Sequence, residues 1–289
     1  MKSFKLGVLT DLHLAPPRSP SAEFNRPVER GRSRELLDAA LQTMDSDIEA
    51  LLVLGDFADR PVVDEYARAV QRFGMLDVPV YVIPGNHDVP RSGEKDSLSA
   101  ALSGPRHVQQ LHAQGIPGLD ADLLAGGLVR EGEGFRMTRC DEALSRRTSR
   151  TLTLWATHFP VLSTADEIAR RGWEYAGDAG NHDFVRASLT ALETPVIALT
   201  GHLHIRSHAI SSNILQLTHG ALAEAPHDAT TVTIERVADR ITVRRTARPV
   251  AQTLTGPAAA VIDACDTTFV WDGSRWSDQG SAPYRSEGR

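Results

Sequence analysis

Three short apolar segments near the amino terminus each lead directly into a polar motif, and this arrangement restricts the fold more than any other feature. The segments and the starts of their motifs are Phe4–Thr10 with Asp11, Leu51–Leu54 with Gly55-Asp56, and Val80–Ile83 with Gly85-Asn86. Leu51–Leu54 is a continuous apolar run, which is typical of a strand buried on both faces, as in parallel sheets. Helical spacing over residues 33–44 and 65–73 separates them. The alternation predicts an α/β fold whose motifs meet at the carboxyl ends of the strands.

The rest of the chain predicts a less regular set of elements. We expect a hairpin built from residues 127–130 and 135–139, a strand over 151–155, a helix over 184–192 and a strand over 196–200. Antiparallel strands are expected over residues 215–218, 231–237 and 241–245.

The predicted domain organisation is one main α/β domain over residues 1–255. Residues 256–276 are expected to be an extension that packs on it, with a helical piece near 261–262 and an edge strand over 269–271. The last segment, 277–289, is rich in Ser, Gly, Pro and charge. That composition predicts a disordered tail.

Charge and cysteine content restrict the partners and the setting. The formal net charge is −6, which argues against a broad electrostatic grip on nucleic acid or an anionic membrane surface. Two distant cysteines, Cys140 and Cys265, provide no disulfide framework. We see no signal-peptide pattern and no apolar run of about 18 residues, so we expect a cytoplasmic protein without a membrane span.

Five short motifs together supply two carboxylates, one amide and four imidazoles that could ligate metal ions. They are Asp11-Leu12-His13, Gly55-Asp56-Phe57-Ala58-Asp59, Gly85-Asn86-His87-Asp88, Thr157-His158-Phe159-Pro160 and Gly201-His202-Leu203-His204. This donor set is enough for two ions, and it leaves His87 for proton transfer. A paired-metal site with a spare acid is typical of phosphoester hydrolysis.

The spacing within the motifs agrees with shared ligation. In an extended segment, residues two apart point the same way, so Asp11 and His13 are expected to reach one ion. The two oxygens of Asp56 allow it to bridge two cations. Mixed oxygen and imidazole ligands suit Mn²⁺, Fe or Zn²⁺, whereas the absence of Cys from the motifs argues against a thiolate zinc site. Two divalent ions, two carboxylates and one hydroxide leave a charge of roughly +1, which attracts an anionic ester.

Each motif alone has a simpler interpretation. Gly-Asp-x-x-Asp is often a solvated turn that caps a helix, and His158 alone would more often be a core or surface histidine. The occurrence of all five motifs in this order, mostly at predicted strand ends, favours a single site.

The complete set resembles the calcineurin-like metallophosphoesterase superfamily, whose pattern runs Asp-x-His, Gly-Asp-x-x-Asp, Gly-Asn-His-Asp/Glu, His and Gly-His-x-His. The resemblance covers Asp11 to His204. It implies a four-layer α/β/β/α sandwich with mixed sheets over the main domain, and a dinuclear metal centre. By the same resemblance, the first ion is held by Asp11, His13, Asp56 and His204. The second is held by Asp56, Asn86, His158 and His202, so that Asp56 is the bridge.

The resemblance also implies the chemistry. Hydroxide that bridges the ions would attack phosphorus, and His87, oriented by Asp59, would protonate the leaving oxygen. Gly-Asp-Phe-Ala-Asp-Arg is similar to the protein phosphatase branch, which makes Arg60 a candidate phosphate clamp. Thr157-His158-Phe159-Pro160 looks more like the bacterial cyclic-nucleotide phosphodiesterase branch, although Thr157 stands where that branch often has His.

The predicted function is therefore hydrolysis of a small phosphodiester, of the cyclic-nucleotide or glycerophosphodiester type. Phosphomonoesterase or protein phosphatase activity on the same centre is the alternative. A nuclease is disfavoured by the acidic balance, despite a local basic run over residues 139–150. A binding scaffold without turnover is disfavoured because every ligand position is retained. The sequence leaves open the natural substrate, the native metals and a homodimer paired through the C-terminal strands.

Overall fold

Two mixed β-sheets pack face to face in the computed structural model of the protein, and helices cover both outer faces. The structure describes residues 2–23, 27–60, 63–91, 94–104, 107–149, 151–170, 172–173, 177–250 and 266–282. The predicted α/β class with mixed sheets is confirmed.

The strands and helices follow one another along the chain with short connections. The strands are β1 (Lys2–Leu9), β2 (Ala22–Glu23), β3 (Pro27–Val28), β4 (Ala50–Leu54), β5 (Val80–Ile83), β6 (Val108–Gln110), β7 (Ala113–Ile116), β8 (Ala121–Ala125), β9 (Gly127–Glu131), β10 (Gly134–Thr138), β11 (Thr153–Ala156), β12 (Val196–Thr200), β13 (Ser207–Ser211), β14 (Ile214–Thr218), β15 (Asp228–Val237), β16 (Arg240–Pro249), β17 (Asp266–Trp271) and β18 (Trp276–Ala282). The helices are α1 (Ser33–Thr43), α2 (Val63–Phe73), α3 (Ser97–Ala101), α4 (Cys140–Ser145), α5 (Ala165–Arg170) and α6 (His182–Thr190), and a 3₁₀ turn spans Arg30–Arg32.

Each large sheet has a parallel part that carries the motifs and an antiparallel part. The first sheet has the order β18-β17-β16-β15-β1-β4-β5-β6, in which β1, β4, β5 and β6 are parallel neighbours. The second has the order β13-β14-β12-β11-β8-β7, with β8, β11, β12 and β14 parallel. Strands β9 and β10 form a separate hairpin.

Alternating side chains of the central strands build separate apolar layers. Leu52 and Leu54 of β4 enter the core between the two sheets, together with Leu154 of β11. Leu51 and Val53 face the other way, onto α1 and α2. Because successive side chains of a strand point to opposite faces, a continuous apolar run lets one strand serve two cores. A third cluster, which includes Trp155 and Val185, lies under α4 and α6.

The structure corrects several predicted elements. Residues 215–218 do form a strand, β14, which is antiparallel to β13 but parallel to β12. It lies in the second sheet and does not pair with the strands that follow it. The segment 269–271 belongs to β17, which lies between β16 and β18 and is not an edge strand. Residues 277–282, predicted as disordered, belong to β18, because Trp276 is buried against the inter-sheet core and anchors the strand. The helix predicted near 261–262 and residues 283–289 lie outside the described residues.

Two further findings concern the setting of the chain. Among the described residues, no helix has the length and apolar character needed to cross a membrane. Cys140 is a buried free thiol. The dimer through the C-terminal strands and the cytoplasmic setting stay predictions.

Candidate metal centre

Five loops bring the predicted ligands together at one end of the two sheets. These loops follow the carboxyl ends of β1, β4 and β5 in the first sheet and of β11 and β12 in the second. Because the two sheets face each other, residues almost 200 positions apart meet: the Nε2 atoms of His13 and His204 are 3.3 Å apart. The expectation that the motifs converge at strand ends is confirmed.

The spacing of Asp11 and His13 predicted an extended backbone at this point of the site. The structure contradicts that prediction. Both residues have left-handed φ angles, 51° and 42°, and so do Asp56, His202 and His204 at 50°, 70° and 54°. Side chains two apart therefore converge through sharp turns and not through strand alternation. Such angles are unfavourable for residues with a Cβ, and they are commonly found where surrounding contacts hold a functional site.

Glycines make this crowding possible. A Cβ on Gly85 would lie 2.1 Å from Oδ1 of Asp56, and a Cβ on Gly201 would lie 2.0 Å from Oγ1 of Thr10. Neither neighbour is free to retreat, because Asp56 and Thr10 are both buried. The glycines of the motifs are thus required by the close approach of neighbouring loops.

We expect Gly85→Ala to displace the Asp56 carboxylate and to lower the free energy of unfolding by about 1–3 kcal/mol, as overpacking of a core does. Gly115→Ala is the matched control, since a Cβ there meets no atom within 4 Å. Chemical denaturation measures the stability, and calorimetry with Mn²⁺ measures the metal affinity. If both variants keep wild-type stability and metal affinity, the steric argument is wrong.

Three sets of side chains have donor atoms within 4.8 Å of one another and could hold a metal ion. They are Asp11, His13 and His204; Asp11, Asp56 and His158; and His13, Asp56 and His87. Asp11, Asp56 and His13 each belong to two sets, so the sets overlap. Asn86 joins them because its Oδ1 lies 3.0 Å from Nε2 of His158.

Hydrogen bonds to the far side of each ring orient two of the imidazoles. The Nδ1–H of His158 donates to the carbonyl of Leu54 at 2.7 Å, and Nδ1–H of His204 donates to Oε2 of Glu224 at 2.8 Å. Each ring therefore directs Nε2 toward the carboxylates: Nε2 of His158 lies 3.3 Å from Oδ2 of Asp56. A second hydrogen bond of this kind is what orients a metal-ligating histidine. The sequence analysis did not identify Glu224, since it belongs to no motif.

The two carboxylates, like the imidazoles, have one atom engaged in hydrogen bonds and the other directed into the cluster. Oδ2 of Asp11 accepts hydrogen bonds from Thr10 Oγ1 at 2.7 Å and from the backbone N–H of His202 at 3.1 Å. Its Oδ1 lies 3.3 Å from Nε2 of His204. Oδ1 of Asp56 accepts the backbone N–H of His87 at 2.9 Å, so that Oδ2 faces the imidazoles.

Burial and mutual charge shift the pKa values of these groups in opposite directions. Burial alone would lower the pKa values of His158 and His204, but Asp56 and Asp11 outweigh it and raise them to about 9 and about 10. Burial would raise the pKa of Asp11, but His204 lowers it to about 2. Burial lowers the pKa of His13 to about 4 and that of His202 to about 3, the latter helped by the charge of His158. Buried carboxylates in this cluster are thus stabilised by adjacent positive charge.

The donor set fits divalent cations. The buried Nε2 of His202 has no hydrogen-bond partner among the described residues. The Nε2 atoms of His13 and His204 face each other at a distance that at most one proton can bridge. Carboxylate oxygens and imidazole nitrogens thus converge on one region, and this mixture of donors fits a divalent cation in place of the protons.

The ring of His87 is oriented by a backbone group and not by a carboxylate. Its Nδ1–H donates to the carbonyl oxygen of Asp59 at 2.8 Å. The Asp59 carboxylate instead accepts a hydrogen bond from Arg30 at 2.7 Å and lies 3.9 Å from Nδ1 of His13. Asp59 and His87 are in contact, but the contact is made by the backbone carbonyl of Asp59 and not by its carboxylate. Since β4 ends two residues before Asp56, the turn brings the carbonyl of Asp59 back toward His87.

A buried carboxylate next to His87 holds two of the loops together. Asp88 accepts hydrogen bonds from the backbone N–H groups of Phe57 at 3.1 Å and Gly85 at 2.8 Å, and from the hydroxyl of Tyr66 at 2.9 Å. Burial and the charge of Asp56 raise the pKa of Asp88 to about 6. Asp88 therefore ties the β4 and β5 loops to α2, a role that the motif did not reveal.

Tyr66→Phe should lower the free energy of unfolding by about 1.5–3 kcal/mol, because it removes a buried hydrogen bond to a carboxylate. Tyr81→Phe is the control: this tyrosine is also buried, and its hydroxyl forms no hydrogen bond with a described residue. We expect its effect to stay within about 0.5 kcal/mol. Equal urea midpoints for the two variants would contradict the role of the Tyr66–Asp88 bond.

An open cleft of about 530 Å³ lies beside this centre. It is lined by Asp59, Arg60, Asn86, His87, Val89, Arg91, Glu94, Arg130 and Phe135. The structure thus places Arg60, the predicted phosphate clamp, in the same cleft as His87. Arg130 and Phe135 come from the β9–β10 hairpin, in the irregular middle of the sequence.

Comparison with known proteins identifies the relatives of this chain. A family model described as calcineurin-like phosphoesterase matches residues 4–206. A probable glycerophosphodiester phosphodiesterase, GpdQ of Arcobacter nitrofigilis, is 27% identical over 181 residues, which are 59% of this chain and 62% of that protein. The match therefore spans less than two thirds of that relative.

Solved structures show the same fold at low identity. GAP50, described as the anchor in the inner membrane complex of Plasmodium, has a TM-score of 0.54 at 7% identity, with 90% of each chain covered. TT1561 of Thermus thermophilus has a TM-score of 0.52 at 11% identity, with 79% of this chain and 93% of that chain covered. At such identities the likeness concerns the fold alone.

Proposed function

Because this chain belongs to the calcineurin-like phosphoesterase family, we propose that it is a metal-dependent phosphodiesterase that acts on a small phosphodiester. The similarity to a probable glycerophosphodiester phosphodiesterase supports a diester of the glycerophosphodiester type, and a cyclic nucleotide is the other diester that we consider. The observation that carries the proposal is the overlap of three potential ligand sets, in which Asp11, Asp56 and His13 each belong to two sets.

The proposed centre holds two divalent ions, of Mn, Fe or Zn, by oxygen and imidazole ligands. The first ion would be held by Asp11, His13, Asp56 and His204, and the second by Asp56, Asn86, His158 and His202. When bound, such ions lower the pKa of water and offset the charge that grows on phosphate oxygens. One potential ligand set, Asp11, His13 and His204, falls within the first group, and the pair Asp56 and His158 of another set falls within the second.

His87 is the proposed general acid. Its Nδ1–H is engaged by the carbonyl of Asp59, and a carbonyl only accepts, so Nε2 is the atom that gains and loses the proton. A protonated Nε2 can donate to the oxygen of the leaving alcohol. The cleft gives that oxygen access, because His87 lines it and is only partly buried.

Arg60 and Asp59 have supporting roles in this proposal. The exposed guanidinium of Arg60 lines the cleft and suits a phosphate oxygen by its fork of N–H donors. Asp59 positions His87 through its backbone carbonyl, while the Arg30 ion pair keeps its carboxylate in place.

The discriminating experiment uses purified protein with added Mn²⁺. We expect a higher kcat/KM for bis-p-nitrophenyl phosphate, a diester, than for p-nitrophenyl phosphate, a monoester. Removal of metal by a chelator should abolish turnover of both. Equal or greater turnover of the monoester would favour the alternative, a phosphomonoesterase on the same centre.

A further inference from the structure

The cleft that contains His87 has a surplus of positive charge. Three arginines line it: Arg60, Arg91 and Arg130. Of its two acidic residues, Asp59 is balanced by its ion pair with Arg30, whereas Glu94 accepts only a backbone N–H, that of Arg91, and keeps its charge. Three arginines therefore face one unbalanced carboxylate. None of the three guanidinium groups forms an ion pair with a described residue. In a chain of net charge −6, such a local surplus indicates an anionic ligand.

Aromatic contacts connect one of these arginines to the candidate metal centre. The guanidinium carbon of Arg130 lies 4.5 Å from the centroid of the Phe135 ring. Phe135 packs on Phe159 with centroids 5.6 Å apart, and Phe159 packs on the His202 ring at 4.0 Å. The β9–β10 hairpin is thereby fixed against the predicted ligands, and Arg130 is oriented before any ligand binds.

The position of the arginines indicates which part of a substrate they would bind. His87 and Asn86 line the same cleft, and His87 is the group proposed to protonate the leaving oxygen. The alcohol that departs must therefore extend into this cleft. The scissile phosphodiester carries a single negative charge, and the proposed metal ions already balance that charge. Three additional guanidinium groups are therefore more than this one phosphate requires.

We infer that the substrate is a phosphodiester whose leaving alcohol carries a second phosphate group, bound by Arg91 and Arg130 with Arg60 beside the scissile bond. This inference rests on the proposed function and adds the substrate class. Water attacks the scissile phosphorus, the bond from phosphorus to the leaving oxygen breaks, and His87 protonates that oxygen. The second phosphate is not cleaved and leaves with the alcohol.

The test compares two esters that differ by one phosphate monoester: glycerophosphoinositol and glycerophosphoinositol 4-phosphate. With the Mn²⁺-loaded full chain, we expect kcat/KM to be about tenfold or more higher for the phosphorylated ester, since charge-assisted hydrogen bonds are strong. The expected products are glycerol phosphate and inositol monophosphate, because the phosphorylated arm leaves as the alcohol.

Substitutions of the cleft arginines test whether these residues cause the preference for the phosphorylated ester. Arg91→Gln and Arg130→Gln should each reduce the ratio of the two kcat/KM values toward one. Arg68→Gln is the matched control, since Arg68 is an exposed arginine of α2 that does not line the cleft; it should keep the wild-type ratio. Circular dichroism checks that the variants are folded.

Each other outcome has a definite meaning. A ratio near one, no turnover of the phosphorylated ester, or release of glycerol with inositol bisphosphate would overturn the inference. So would equal losses for both esters in the arginine variants, which would show that the arginines hold the scissile phosphate. Turnover of bis-p-nitrophenyl phosphate is measured in parallel: its presence keeps the proposed function when the inference fails, and its absence refutes the proposed function itself.

Discussion

Substitution of His87 by glutamine is expected to lower kcat for an alkyl phosphodiester by about 10²- to 10⁴-fold, the range that loss of a general acid usually produces. An alkoxide is a poor leaving group, and glutamine cannot supply the proton that Nε2 of His87 is proposed to give. The effect should depend on the leaving group. p-Nitrophenolate departs without a proton, so bis-p-nitrophenyl phosphate should show a much smaller loss than glycerophosphocholine.

His182→Gln is the matched control for this experiment. The Nδ1–H of His182 also donates to a backbone carbonyl, that of Ala179 at 3.2 Å, but this histidine begins α6 and lies outside the cleft. It should retain wild-type kcat. Metal content, measured on the purified variants, should be unchanged in both. A His87→Gln protein with undiminished turnover of the alkyl ester would refute the general-acid role.

Asp56→Asn is expected to lower both the bound metal and the activity, the latter by about 10²–10³-fold, as loss of a single electrostatic stabiliser in an active site does. Its Oδ2 lies 3.3 Å from Nε2 of His158 and 3.8 Å from Nε2 of His13. The side chain therefore lies between ligands from both sheets. Asparagine keeps the shape but removes the charge and replaces one oxygen with an N–H₂ group, which cannot ligate a cation.

Asp77→Asn provides the control, because Asp77 is exposed, follows α2 and belongs neither to the cleft lining nor to a potential ligand set. It makes the same chemical change, and we expect it to alter neither metal content nor kcat. Titration with Mn²⁺ followed by calorimetry measures affinity and stoichiometry. Two tightly bound ions and full activity in Asp56→Asn would exclude the bridging role of this carboxylate.

The parts of the site that were predictable lie within single motifs. The apolar runs of β1, β4, β5 and β12 are short, and every residue next to the motif is buried. The polar residues that end these runs can be recognised in the sequence because hydrophobic periodicity is a local property. The same locality explains why Asp11, His13, Asp56 and Asn86 could be predicted as ligands from their motifs without knowledge of the fold. Their close approach then followed from the geometry of parallel sheets.

The parts that could not be predicted depend on distant residues. The β13 strand has a half-exposed pattern and is stabilised by pairing with β14. β18 contains Ser, Asp, Gln and Gly, and it is ordered because it pairs with β17 and because Trp276 reaches the core. The second hydrogen bond of His204, to Glu224, connects residues 20 positions apart that share no motif.

The apolar segments were enough to predict the α/β class, and the five motifs were enough to predict the candidate ligands and the role of His87 by their resemblance to a family pattern, because strand burial and motif chemistry are properties of short segments. The folded chain alone reveals that the Asp59 carbonyl, and not its carboxylate, orients His87, and that Asp88 ties two loops to α2. It also places Arg130 of the hairpin in the cleft with Arg60. These relations arise from packing between segments remote along the chain, and no periodicity within a segment encodes such contacts.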